Sequence, residues 1–320
     1  VDHLVPSIRV GALQRGMYTD IYLAKFDQYR QELLDVSSRL HEYRPDVVLF
    51  SLTARQLLSI IPLSSAHSDV TRLINEFLSD IRELWIIAKR ELGATVIQQS
   101  FLNIAESLFG SMDRNIPSTP SQIIRKLNDQ VAQAAKDEDV LLLDLDRSVE
   151  RSGLRCWFEP TKWHQAKIEI APNAALLYGD LVARLIAAQI GLSKKCLVLD
   201  LDNTLWGGVI GDDGIENIVI GEGSALGEAY LSFQKYIKQL EERGVILAVC
   251  SKNENSLAES AFELHPDMAL KLSDFSVFLA NWQDKATNIE NIASRLNIDL
   301  DSLVFFDDNP AERAIIRQAY

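Results

Sequence analysis

The run Cys196-Leu197-Val198-Leu199-Asp200-Leu201-Asp202-Asn203-Thr204-Leu205 narrows the possible folds more than any other part of the chain. Four apolar positions (Leu197, Val198, Leu199, Leu201) surround two aspartates spaced i, i+2. A short, nearly continuous apolar run reads as a strand buried in a parallel sheet. Such a strand ends in two carboxylates and a threonine where something there needs negative charge. In open α/β sheets the chemistry lies just outside the carboxyl ends of the strands. Two carboxylates at that place suit a hard divalent cation such as Mg²⁺ together with a phosphoryl group.

The rest of the C-terminal third supplies matching parts. A second apolar strand, Val245 to Cys250, ends at the hydroxyl of Ser251, followed by Lys252 and Asn253. Lys285 is a lone cation in Asn281-Trp282-Gln283-Asp284-Lys285-Ala286. A third strand, Leu303-Val304-Phe305-Phe306, runs into Asp307-Asp308-Asn309-Pro310. Acid pair, Ser, Lys and acid pair, in that order on strand ends and loops, resemble the haloacid dehalogenase (HAD) superfamily of phosphotransferases. A lone pair of aspartates would carry little weight, and the chain contains its own control. Leu141-Leu142-Leu143-Asp144-Leu145-Asp146 also runs a strand into two aspartates, but no Ser, Lys and acid-pair series of its own follows before Asp200. Asp144 and Asp146 read as a strand-end and helix-cap pair.

Each residue of the series has a chemical task. Asp200 is the candidate nucleophile, since a carboxylate can attack phosphorus and form an aspartyl-phosphate. Asp202, two residues on and expected on the same face, is the candidate general acid and base. Thr204 and Ser251 offer hydroxyls to the phosphoryl oxygens, with Asn253 as a further substrate contact. Lys285 offers a point charge that holds the phosphoryl group and the nucleophile together. Asp307 and Asp308 complete, with Asp200 and Asp202, a carboxylate shell for Mg²⁺. Four clustered acids need a cation, and Lys285 helps to neutralise them.

Length and charge limit the partners. The chain has 320 residues, enough for two ordinary domains. No apolar run is as long as a membrane span. A net charge of −13 argues against a general binder of nucleic acid or membrane surfaces. Three cysteines (Cys156, Cys196, Cys250) make neither a disulfide framework nor a zinc cluster, and reduced thiols point to the cytoplasm. The chain begins at Val1 rather than Met, so a missing leader sequence carries no weight.

The organisation is α/β throughout, and the pattern predicts two three-layer α/β domains with mainly parallel sheets, over 1–190 and 191–320. Upstream, strands are predicted over 46–52, 94–100 and 140–145. They alternate with helices over 69–92 (N-capped by Ser68), 121–136 and 174–190. Downstream, Val209-Ile210 and Ile218-Val219-Ile220 are expected to form a small flap hairpin around Asp212-Asp213-Gly214. A helix over 226–243 stops at Gly244. Only about fifty residues separate the first motif from the second, well short of the usual domain size, so no cap domain fits and the site should be open.

The strings Asp200-Leu-Asp-Asn-Thr-Leu-Trp-Gly-Gly-Val-Ile-Gly211, Cys250-Ser-Lys-Asn253, Asn281-Trp-Gln-Asp-Lys285 and Phe306-Asp-Asp-Asn-Pro-Ala-Glu-Arg313 resemble the FkbH-like branch of HAD subfamily IIIC. The resemblance covers 195–320 and, more diffusely, the upstream part. It implies a capless HAD-like Rossmannoid domain behind an SGNH-hydrolase-like domain, truncated at its start, that has lost its esterase machinery. It implies Asp308 as the direct Mg²⁺ ligand and Asp307 as its supporting partner. It also implies an activity. FkbH-like proteins dephosphorylate 1,3-bisphosphoglycerate and deliver the glyceryl group to the phosphopantetheine thiol of an acyl carrier protein, in polyketide-type biosynthesis.

Three further expectations follow. Cys250, next to Ser251, could hold the glyceryl group as a thioester, but strand alternation turns it away from the site and favours a buried packing role. Cys196 reads as structural. An SGNH esterase needs Asp-x-x-His near its end, and here Thr161 stands where the Asp belongs, three residues before His164, so hydrolysis is not expected. The aromatic patch Trp157, Phe158 and Trp163 is expected to pack against the HAD domain rather than bind substrate, with a carrier-protein dock as the alternative. Arg151, Arg155, Lys162 and Lys167 form a candidate docking face for an acidic carrier protein, with ordinary surface charge as the simpler account. Two other functions compete with glyceryl transfer: a plain phosphatase of a small phosphorylated metabolite with the same residues, and a non-catalytic scaffold. Maintained, mutually repelling carboxylates speak against the scaffold.

Overall fold

A computed structural model describes residues 2–25 and 27–320. The chain divides into two compact units, Val1–Gly191 and Leu192–Tyr320. The first is built on three parallel strands in the order β1-β2-β3: β1 (Val47–Phe50), β2 (Thr95–Gln99) and β3 (Leu141–Leu143). Successive strand residues face opposite ways, so each face carries its own core. Phe50 and Val96 pack with Trp85, Ile124 and Leu127 of the helices His67–Leu92 and Pro120–Asp137. Ile97 and Leu143 pack on the other side with Tyr178 and Val182 of the helix Ala175–Gln189. This is the three-layer arrangement expected from the alternation of strand and helix patterns.

The helices Val5–Leu13 and Ala175–Gln189 cross very closely. A Cβ on Gly11 would stand 2.7 Å from the carbonyl oxygen of Gly179, and one on Gly179 would collide with the carbonyl of Ser7. Two expectations for this unit need correction. The long helix starts at His67 with Ala66 in the cap position, so Ser68 lies inside the first turn and caps nothing. Trp157, expected to pack against the HAD domain, is buried in this unit's own core and donates its indole N–H to Ser152 Oγ at 2.7 Å.

The second unit has four parallel strands in the order β6-β5-β4-β7: β4 (Cys196–Leu199), β5 (Ile246–Ser251), β6 (Phe275–Ala280) and β7 (Leu303–Phe306). Alternation again divides the side chains. Leu199, Leu247 and Val249 face one core with Trp206 and Phe262. Val198, Ala248 and Cys250 face the other with Ile289 and Ile292. The connection between β4 and β5 holds a helical turn, Ile210–Asp213, and the helix Ala225–Glu242, with no inserted domain.

The flap hairpin does not form. Gly207 and Val219 make one antiparallel bridge, and Ile210 enters a helical turn instead of a strand. Asp213 decides this, because its Oδ2 accepts the N–H of Val209 at 2.8 Å and closes the turn. Gly208 allows it with φ +95, where a Cβ would meet that same Asp213 oxygen at 2.6 Å. The strand β6 has no counterpart among the predicted strands, and Lys285 opens the helix Lys285–Leu296 instead of lying in a loop.

Candidate active site

The four strands of the second unit deliver polar residues to one edge of the sheet. Leu199 is in register with Val249 on one side and Phe306 on the other, so Asp200 leaves the central strand between β5 and β7. Its N–H still bonds the Phe306 carbonyl at 3.0 Å, which fixes it beside Asp307. Asn281 N–H bonds the Ser251 carbonyl at 3.0 Å and carries the chain from β6 towards Lys285. Asp284 caps that helix by accepting the N–H of Thr287.

Lys285 is the hub. Its Nζ lies 3.0 Å from Asp200 Oδ2 and 2.5 Å from Asp307 Oδ2, and the residue is 4% exposed. Burial works against its charge, but Asp200 and Asp307 outweigh burial and hold its pKa above the ordinary lysine value. For Asp200 the balance tips the other way. Burial raises its pKa and the charge of Asp307 adds to this, while Lys285 and a hydrogen bond with Ser251 oppose it. Asp307 is buried, and its Oδ1 accepts the N–H of Asn309 at 2.7 Å. Asp308 is exposed.

Carboxylate oxygens of Asp200, Asp307 and Asp308 lie within 4.8 Å of one another, the only such three-acid group among the described residues. One buried ammonium is shared between two of them, and among the described residues Asp308 has no side-chain cation paired with it. An all-oxygen donor set with excess negative charge fits a hard divalent cation. Asp144 and Asp146 are outside this group. Asp144 Oδ1 accepts the N–H of Asp146, the first residue of the helix Asp146–Ser152, at 3.0 Å, which is a local turn contact.

Asp202 is held differently from Asp200. Its Oδ1 accepts from Trp206 Nε1 at 2.9 Å and from Ile210 N–H at 3.1 Å, and its Oδ2 accepts from Asn253 Nδ2 at 2.9 Å. Asn253 Nδ2 also reaches Ser251 Oγ at 3.1 Å, so Asn253 ties Asp202 to the end of β5. Thr204 is buried, and its Oγ1 accepts the Asp308 N–H at 3.2 Å. That contact joins the first motif to the last. Cys250 is fully buried, its Sγ lies 3.8 Å from the Lys285 carbonyl oxygen, and burial pushes its thiol up to about 12. Cys196, at the start of β4, is likewise buried with its thiol at about 12.

Two supporting residues carry no role from sequence reasoning. Arg313 Nη1 donates to the carbonyls of Asp307 at 2.5 Å and Asp308 at 2.7 Å and fixes the loop that presents both acids. Trp206, fully buried, fixes the Asp202 carboxylate. Both stand inside the motif strings, but contacts to backbone carbonyls and to a neighbouring side chain leave no periodic signal. In the first unit, His164 and Thr161 lie on the helix Pro160–Ala166, with His164 exposed.

Comparison with known proteins gives two similarities. Residues 2–180 match the family model of the FkbH N-terminal domain. The chain is also similar to the N-terminal part of the protein BF1531 from Bacteroides fragilis, a crystal structure described as containing a phosphatase domain complexed with Mg. The two are 33% identical with a TM-score of 0.88, over 99% of this chain and 83% of that one. None of the curated proteins compared with the chain matches it.

Proposed function

The chain belongs to the FkbH family, and from that premise we propose that its second unit is a magnesium-dependent phosphatase of the HAD type. The observation that carries this reading is the convergence of Asp200, Asp307 and Asp308 around the ammonium of Lys285 at the carboxyl edge of a parallel sheet. Asp200 attacks phosphorus, forming an O–P bond while the bond to the leaving oxygen breaks. Asp202 gives that oxygen a proton, then takes one from the water that releases phosphate and restores Asp200. Lys285 and Ser251 hold the transferring oxygens, and Asn253 keeps Asp202 in reach of them. Asp200 and Asp308 would hold the ion, with Asp307 positioned by Lys285 and Asn309 as their support. Magnesium, when bound, supplies positive charge against that of the phosphoryl group. The Mg held by the phosphatase domain of BF1531 supports this choice of ion.

The substrate class is a small phosphorylated metabolite. The finer reading is 1,3-bisphosphoglycerate, with the glyceryl group passed to an acyl carrier protein. Its support is the FkbH relationship and a β4–β5 connection that leaves room for a protein-borne acceptor. In this scheme the carrier thiol attacks the acyl carbon, a C–S bond forms as the C–O bond to the acyl phosphate group breaks, and inorganic phosphate leaves with the thiol proton. Asp200 serves the remaining phosphate ester. A buried Cys250 thiol has no part as an acyl carrier. Residues 1–190 are read as an SGNH-like, non-catalytic domain that offers Arg151, Arg155, Lys162 and Lys167 to the acidic carrier. Free cysteines fit a cytoplasmic setting.

The test is incubation with magnesium, 1,3-bisphosphoglycerate and a panel of carrier proteins, read by phosphate release and intact mass. Without a carrier the native chain should release phosphate above the protein-free rate and Asp200→Asn should not. Undiminished release by Asp200→Asn would overturn the phosphatase reading. Release without any loaded carrier would leave the phosphatase and remove the glyceryl transfer.

A further inference from the structure

In the first unit a cation and an acid face each other without a hydrogen bond. Arg55 opens the helix Arg55–Ile60, a few residues beyond the carboxyl end of β1. Its guanidinium lies over the Trp163 ring, with Cζ 3.5 Å from the centroid, and Phe158 stands at 5.8 Å. Lys167 Nζ is 5.4 Å from the same Trp163 centroid. The Glu169 side chain is 11% exposed, and its Oε2 lies 3.9 Å from Arg55 Nε. That distance is beyond hydrogen-bond length. Arg55 Nε and Glu169 Oε2 are both buried, and neither has a hydrogen-bond partner among the described residues.

A buried ion pair that serves only the fold satisfies its donors and acceptors, because each one left bare costs about 1–3 kcal/mol. Here stacking on Trp163 holds the guanidinium away from Glu169. The side chain of Arg55 is 35% exposed, so it is not sealed from solvent. Two cations stand against one acid, and burial pushes that acid up to about 7, which weakens it as a counter-charge. The setting is the carboxyl edge of a parallel sheet, where ligands enter open α/β folds. A planar guanidinium backed by an aromatic ring suits bidentate recognition of an oxyanion, and a lysine adds a point charge.

We propose that Arg55, Lys167 and Trp163 form an oxyanion-binding site in the first unit, with Glu169 accepting from a hydroxyl carried next to the bound anion. The ligand class is a small hydroxylated phosphate ester or carboxylate. This site lies wholly within the first unit and does not depend on the phosphatase reading of the second.

The experiment is isothermal titration of the full chain carrying Asp200→Asn, in EDTA, with glycerol 3-phosphate, glycerate and inorganic phosphate. Saturable binding of one equivalent of a hydroxylated anion is expected, and the two organic probes tell phosphate from carboxylate recognition. Arg55→Met should weaken it by about tenfold or more, the usual loss for a hydrogen bond to a charged group. Lys167→Met should weaken it severalfold. Glu169→Met should remove the preference over inorganic phosphate. Absence of saturable binding by every probe, or binding that survives both Arg55→Met and Lys167→Met, overturns the proposal. Should Arg55→Met fail to fold by circular dichroism, the exposed Lys167→Met decides alone.

Discussion

Replacing Glu169 with Gln should remove a pH dependence from the first unit. Burial is the larger influence on this carboxyl, and Arg55 at 3.9 Å opposes it only in part, so its pKa rises from 4.5 to about 7. An acid whose folded value lies above its unfolded value prefers its proton in the folded chain. The stability it contributes is therefore complete below pH 4.5 and is lost as pH rises through 7. The interval corresponds to about 3 kcal/mol, with a slope no steeper than about 1.4 kcal/mol per pH unit. Between pH 5 and 8 the native chain should lose about 2.5 kcal/mol that Glu169→Gln keeps. Because the chain has two units, a global melting curve mixes their transitions. Amide hydrogen exchange of β1, β2 and β3, corrected for intrinsic rates at each pH, reads the first unit alone. Equal pH dependence of protection in native and variant chains would refute the reasoning. It would mean that water or Arg55 already stabilises the charged carboxylate.

Lys285→Met should lower the stability of the second unit by about 3–5 kcal/mol at neutral pH, because Asp200 and Asp307 are left buried without their cation; exchange protection of β4 and β7 reads this, and phosphate release should be lost. Trp206→Phe keeps the ring packing but removes one donor from Asp202, so kcat should fall about tenfold with KM unchanged, and the pH profile of kcat should shift. Cys250→Ala should cost about 1 kcal/mol of stability through lost packing and leave phosphate release and carrier loading at native levels; loss of loading alone, in intact-mass spectra, would restore a covalent role to the thiol.

The site was legible where chemistry forces a residue type into an improbable place. Carboxylates at the end of a buried strand, a hydroxyl at the end of the next and a lone lysine need one another, and Asp200, Lys285, Asp307 and Asp308 meet as that need requires. Strand parity was equally readable. Cys250 and Ser251 are adjacent and must face opposite ways, and Cys250 packs with Val198 and Ala248. Contacts that depend on tertiary geometry left no such trace. Arg55, Trp163 and Glu169 are separated by more than a hundred residues between the first and the last. A single polar residue at a helix start or in a connection has no periodicity to reveal its partner. Arg313 grips backbone carbonyls, which every residue possesses, so its identity does not announce its target.

Asp202 shows how a correct local rule fails a few residues past the end of the strand. Period-two alternation puts i and i+2 on one face only while the chain remains a strand. β4 ends at Leu199, and Thr204 N–H and Leu205 N–H already turn back to the Leu201 carbonyl. The Asp202 carboxylate is therefore aimed by that turn, towards Trp206, Ile210 and Asn253, and not into the group formed by Asp200, Asp307 and Asp308. Under the proposed phosphatase reading this separation would have a chemical use. A carboxylate that binds a cation cannot also exchange protons freely, so a centre needing both functions gains by holding one acid outside the cation's donor set. The tie from Asn253 to both Asp202 and Ser251 keeps that acid within the site while the indole of Trp206 restrains its rotation.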